Sequence, residues 1–407
     1  MAFVATAALA VGAARAADPN SVEVIHWWTS GGEAAAVKVF ADAFDKAGGK
    51  WIDAAIANGD QARAAGINRI IGGNPPGMMQ FNTGKQLDEL VKGGYLDTLD
   101  ALAKAGNWAA VLPKSIAAAS MRDGHWYALP VNIHGQGWMF YSVKAFKDAG
   151  VEPPKTWADV LADAPKLKAK GIIPIAQGGQ PWQEHILFDD VLAGQGGSDM
   201  FLKVYGDKKT AAAAVADPKF KAVAETFKKL KDFMDPGEAG RNWNDATAMV
   251  ITGKAGMQMM GDWAKGEFSH ANQTAGKDYG CVPISGGYII GGDVFVFPKQ
   301  AGASDLSAGQ KLLAETMFSP AIQLAFNKVK GSIPVRTDVD TSSMDTCAQQ
   351  GAALMKDPSK QLPSLNYLIS PDEAGALDDV ITKYFNTPDE TADQFVQKFA
   401  DAIKNSA

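Results

Sequence analysis

Between residues 22 and 95 the chain alternates short β-branched runs with amphipathic helical stretches. That alternation limits the fold more than any other feature. VEVIHWW (22–28) is apolar and β-branched and reads as a strand, with Gly31-Gly32 breaking it. A helix is expected to begin near Glu33, with Val37, Phe40, Ala41 and Phe44 on one face. Strands are expected again at 51–57 and 77–82, and helices at 60–72 and after Thr83. Strand–helix repetition of this kind predicts an α/β domain with a mostly parallel sheet.

The chain has 407 residues, too many for one compact core, so two domains are expected. The stretch 125–146 carries no charge between His125 and Lys144 and reads as extended chain crossing between domains. Residues 150–280 are mainly helical by apolar periodicity. GYIIGGDVFVFPK (287–299) returns to strand, and the last 70 or so residues are helical again. The expected division is 18–130 plus about 285–335 for an N-terminal α/β domain. A more helical C-terminal domain takes about 131–284 plus 336–407, with a cleft between the two.

Residues 1–17 read as a secretory signal: a small apolar run, then Ala14-Arg15-Ala16 with cleavage after Ala16 or Ala17. No later run reaches membrane-spanning length, so an exported, soluble, periplasmic protein is expected. In that compartment Cys281 and Cys347 suggest one disulfide, the alternative being two buried free thiols. A link closing so long a loop would stabilise by roughly 4 kcal/mol. The net charge of −6, with no basic run, argues against nucleic acid and anionic membranes as partners.

No phosphate-binding loop, dinucleotide fingerprint, nucleophile elbow or zinc-protease motif occurs. The five histidines have no metal-ligand spacing, so no metal, cofactor or catalytic residue is expected. Glu33 and Asp293 could form a glycoside-hydrolase pair only if they faced a scissile bond from two sides, a remote alternative. Aromatic rings beside charged and amide side chains are what sugars require. Rings stack on C–H faces, and charged or amide groups fix the hydroxyls. The chain has 10 Trp, and Trp27-Trp28 end a strand next to Thr29, Ser30 and Glu33. Ligands bind at that end of an open α/β sheet. Adjacent residues of a strand point to opposite faces, so one Trp is expected as a platform and the other as packing.

EVIHWWTSGGE, NTGKQ, GHWYALPVNIH, QPWQE, GKAGMQMMGDWAKGEF, GGDVFVF and VKGSIPVR together resemble the glucose- and mannose-type substrate-binding proteins of bacterial ABC transporters. These lie within the larger group that includes maltose-binding protein. The resemblance runs over nearly the whole mature chain. It implies the type II periplasmic-binding-protein fold, two interleaved domains with a ligand cleft at the hinge. It also implies a neutral hexose as ligand, ABC permease subunits as partners, a chemoreceptor as a further one, and a monomer. An oligosaccharide or polyol is the alternative cargo.

The resemblance assigns Trp27 and Trp28 to the paired site tryptophans and Glu33 to the acidic hydroxyl acceptor. Lys85 and Lys330 become donors, Trp243 and Trp263 aromatics of the second domain, and Asp293 an acceptor. Asn132, His134 and Gln183 are weaker candidates. Each has a plainer alternative: Lys85 a solvated charge, Lys330 a helix cap, the tryptophans core. One position departs from the family. Residues 363–367 read PSLNY where a histidine usually closes the motif, so Tyr367 stands at a sugar-contacting position.

Overall fold

A computed structural model describes residues 19–406, and the signal segment 1–17 lies outside the described residues. Three strands of the first sheet, Ser21–His26, Lys50–Ala55 and Met78–Asn82, run parallel, with Ser21–His26 in the middle. Asp293–Val296 and Leu129–Pro130 extend this sheet antiparallel. The sheet is therefore mixed rather than mostly parallel. Parallel pairing needs a crossover that returns the chain to the same end. Asp293–Val296 instead follows directly from Tyr288–Gly291, with no helix between.

A second sheet has the order Tyr279–Val282, Trp138–Ser142, Ala255–Met260, Ile173–Ile175. A small third sheet pairs Gln361–Pro363, Tyr288–Gly291 and His134–Gln136. It is where the chain passes from one large sheet to the other. Leu129–Pro130 leads through His134–Gln136 into Trp138–Ser142, and Tyr288–Gly291 leads through Gly292 into Asp293–Val296. A bridge between Ile133 and Ile333 marks a further crossing. A side chain at Gly292 would put its Cβ 2.6 Å from the Asn132 carbonyl oxygen, so only glycine lets the two crossings lie this close.

Apolar burial only partly follows this division, because the core of the first sheet continues into Trp138, Phe140, Ala255 and Met260 of the second. Trp28, Phe40, Phe295 and Phe326 belong to a core around the first sheet. Phe188, Phe220, Phe227, Phe395 and Phe399 fill one among the helices of the second half. The C-terminal helices Pro371–Asn386 and Ala392–Asn405 pack on Pro181–Val191 and Pro218–Leu230, so the tail belongs with the second sheet. The disulfide is formed. Cys281 on an edge strand joins Cys347 on helix Thr346–Leu354, 66 positions apart, with Cα atoms 6.1 Å apart. Among the described residues no helix is long and apolar enough to cross a membrane.

Candidate functional site

The carboxyl end of the central strand meets the crossing segments, and a buried polar network forms there. The Trp27 amide donates to Gln80 Oε1 at 3.1 Å, and Gln80 Nε2 donates to Asp293 Oδ1 at 2.9 Å. Asn132 Nδ2 donates to the other Asp293 oxygen at 2.8 Å, and His134 Nε2 lies 3.1 Å from it. His134 Nδ1 meets Asp262 Oδ1 at 2.5 Å. The remaining Asp262 oxygen accepts from the Gly135 amide and the Tyr288 hydroxyl. Asp293 starts a first-sheet strand and Asp262 follows a second-sheet strand, so His134 ties the two halves through one imidazole.

Both ring nitrogens face carboxylates, which favours the doubly protonated imidazolium. Burial opposes the charge. The Asp262 carboxylate and the hydrogen bonds to Asp262 and Asp293 outweigh it, so the His134 pKa is raised, with Lys330 pulling the other way. Burial pushes Asp293 up as well. The His134 hydrogen bond and charge, Lys330 and Asn132 overcome that and hold it below the ordinary carboxylate range.

Glu33 and Lys330 form a second buried pair at 2.9 Å. Glu33 lies in the first turn of helix Gly31–Lys46 and Lys330 at the last residue of Pro320–Lys330. Each charge therefore complements its own helix dipole as well as its partner. The Lys330 ammonium also sits 5.6 Å from the Trp28 ring centroid. Glu33 and Asp293 are thus both engaged with cations and not arrayed as a free acid and base.

The strand ends before the two glycines, which are the first residues of the helix. Its N-terminus has no cap from Ser30; Glu267 supplies one from far along the chain, accepting from Ser30 Oγ at 2.7 Å and the Gly32 amide at 2.8 Å. A Cβ on Gly32 would fall 2.4 Å from the Gly266 carbonyl carbon. The Gly266 carbonyl oxygen and the Glu267 amide nitrogen lie within 2.8 Å as well, and all three atoms are backbone, so none can yield cheaply. Gly32→Ala should cost about 2 kcal/mol, read as a lower urea midpoint at unchanged slope.

The paired tryptophans differ in burial. Trp28 is 1% exposed, edge-on to Phe295 at 5.6 Å and tilted against Phe326 at 5.3 Å, so it is packing beneath the Glu33–Lys330 pair. Trp27 is half-buried and lies under the Arg63 guanidinium at 5.7 Å. Trp263 is half-buried, edge-on to His134 at 5.1 Å and 6.3 Å from Trp182. Trp243 opens helix Trp243–Ile251, and its carbonyl accepts from Gln258 and Thr247. The Lys85 ammonium donates to the Leu368 carbonyl at 2.7 Å and so clips down the segment that carries Tyr367. Gln183 is buried and its amide donates to Gln180.

Trp28, Glu33, Asp293 and Lys330 are therefore brought together with Asn132 and His134, and Trp263 joins them through His134. Gln80, Asp262 and Trp182 are members that sequence reasoning missed. Gln80 had a signal: an amide between apolar residues in the strand MMQFN must be buried and therefore partnered. Asp262 had none beyond its neighbour Trp263. Among the described residues no group of three or more His, Cys, Asp or Glu is placed to hold a metal ion.

Two interleaved halves, each built on its own sheet and joined where a polar, aromatic-flanked network lies, define a type II solute-binding protein. The chain belongs to the bacterial extracellular solute-binding protein family, whose sequence pattern matches residues 28–324. It is 40% identical over 353 residues to a probable sugar-binding periplasmic protein of Rhizobium meliloti (strain 1021), covering 86% of this chain and 83% of the relative. A protein of the same description from Brucella suis biovar 1 (strain 1330) is 37% identical over 383 residues, 92% of this chain and 90% of the relative. Among solved structures, a chitin oligosaccharide binding protein superposes with a TM-score of 0.80 at 20% identity, covering 95% of this chain and 98% of that one.

Proposed function

We propose that this protein binds a neutral monosaccharide, glucose or a close hexose, in the periplasm and delivers it to the permease subunits of an ABC transporter. The observation that carries the reading is the Gln80–Asp293–Asn132–His134–Asp262 network with Trp263 and Trp182 beside it. Its carboxylates and amides suit sugar hydroxyls, and the two rings suit a C–H face. The relatives named as sugar-binding periplasmic proteins support the same class of ligand.

In this reading the domains divide as 18–130 with about 285–335, and about 131–284 with 336–407. The hinge lies at the third sheet, and closure brings Trp263 and Trp243 toward Glu33, Asp293 and Lys330, with Trp27, Lys85 and Tyr367 at the edge. The protein works as a monomer, and its liganded form also suits a chemoreceptor.

Calorimetry against D-glucose, D-mannose, D-galactose, maltose and a hexitol tests the reading. We expect a Kd at or below about 1 μM for one hexose, about −8 kcal/mol or better, weakened about tenfold or more in Trp263→Ala. A disaccharide binding more tightly than every hexose would transfer the reading to oligosaccharides. Binding no better than millimolar for all of them would remove it.

A further inference from the structure

The start of helix Gly31–Lys46 can be capped in two ways, and only one of them is made. Ser30-Gly31-Gly32-Glu33 has the spacing of a capping box. In such a box the N-cap hydroxyl accepts from the third helical amide, and the acid at that position turns back on the N-cap amide. The Ser30 backbone already has the extended shape an N-cap needs, with φ −67° and ψ 166°. Its hydroxyl nevertheless accepts from no helix amide. It donates to Glu267 Oε1 at 2.7 Å, and the same oxygen accepts from the Gly32 amide at 2.8 Å. Glu33 reaches Lys330 rather than Ser30.

Glu267 comes from the other half of the molecule. Its short helix, Ala264–His270, follows the second-sheet strand Ala255–Met260. Phe268, the next residue, roots that helix in the second half. Its ring stacks on Tyr279 at 4.1 Å and tilts against Phe140 at 5.9 Å, both on strands of the second sheet. The helix then lies across the ends of two first-half helices, Gly31–Lys46 and Pro320–Lys330. The approach is close: a Cβ on Gly266 would come 3.0 Å from the Val329 carbonyl oxygen. A separation of the two halves would therefore carry Glu267 away from Ser30 and Gly32.

We propose that Glu267 is an interdomain latch that exchanges with the Ser30 hydroxyl for the cap of this helix, made when the protein closes and released when it opens. The inference rests on the domain closure read above and deepens it. With the halves apart, rotation of one side-chain bond turns the Ser30 hydroxyl onto the Gly32 or Glu33 amide. The helix then keeps an acceptor at its positive end in both forms. The carboxylate is the stronger cap, because its charge complements the helix dipole and its hydrogen bonds are charge-assisted. The local cap keeps the difference small, so bound sugar can decide between the forms.

The test is stopped-flow tryptophan fluorescence with D-glucose, D-mannose and D-galactose on wild type, Glu267→Leu, Glu267→Gln and Ser30→Asp, with ligand-free melting temperatures alongside. A contact made only on closure acts on release of the sugar rather than on its capture. Glu267→Leu should release the best hexose about tenfold faster, with association within about twofold of wild type. Its ligand-free melting temperature should match wild type, because Ser30 then holds the cap. Glu267→Gln keeps an acceptor at the same reach and should stay within about threefold of wild type. Ser30→Asp strengthens the local cap and repels Glu267, so it too should hasten release about tenfold, with the ligand-free melting temperature unchanged or higher. A lower ligand-free melting temperature in Glu267→Leu with unchanged release would make Glu267 a permanent cap and overturn the latch, leaving the sugar reading intact. Release within twofold of wild type in both Glu267→Leu and Ser30→Asp overturns it equally. If Glu267→Leu fails to fold, Ser30→Asp decides. Wild-type protein that binds none of the hexoses overturns both readings.

Discussion

His134→Gln is expected to lose about 3–5 kcal/mol of stability at pH 7, because two buried carboxylates then face each other without the cation between them. The wild-type pH profile has two arms of known sign. The His134 pKa is raised on folding, so its contribution is complete below the unfolded value of about 6.5 and is lost as pH rises through the folded one. The Asp293 pKa is lowered, so its contribution is complete above about 3.9 and is lost as pH falls through the folded value. Between those limits stability should form a plateau. In His134→Gln the alkaline arm should vanish, and the deficit should be smallest in acid, where Asp262 and Asp293 can take up protons. Urea denaturation at pH 5, 7 and 9 checks this. A variant as stable as wild type at pH 7 would mean that the imidazole carries no charge between its carboxylates.

Lys330→Met should cost a similar amount, about 3–5 kcal/mol, for a related reason. It keeps the length of the side chain over Trp28 but strands Glu33, which is 8% exposed. The diagnostic is the double variant. Glu33→Leu with Lys330→Met removes both charges, and more than half of the lost stability should return. If the single variants add in the double one, the pair is not coupled. Sugar affinity should stay impaired in the double variant despite its recovered stability, since the proposed function places both groups on the ligand wall. Recovery of binding together with stability would confine the pair to a structural role.

Much of the site was legible in the chain because the residues involved break local rules. Two Trp at a strand end, an acid directly after a glycine pair, and an aspartate opening an apolar strand each demand an explanation that hydrophobic packing does not provide. Two features had causes outside the local pattern. The strand ends before Gly31-Gly32 and the helix begins at Gly31, and the need for glycine at position 32 came from Gly266, distant in sequence. The Lys85 ammonium donates to a carbonyl 283 positions away. Local pattern carries no information about such partners.

The alternation of strand and helix, the crossing segments rich in aromatic and β-branched residues, and the export-linked cysteine pair were properties of the sequence itself. They depend on side-chain periodicity and chemistry, which act over a few residues. Which groups are paired with which was decided only by the tertiary structure. The imidazole of His134 lies between Asp262 and Asp293, and Glu33 lies against Lys330. These pairings join residues more than a hundred positions apart, brought together only when two sheets share one crossing. Hydrogen bonding and charge pairing act over a few ångströms of space, and no distance along the chain reports them.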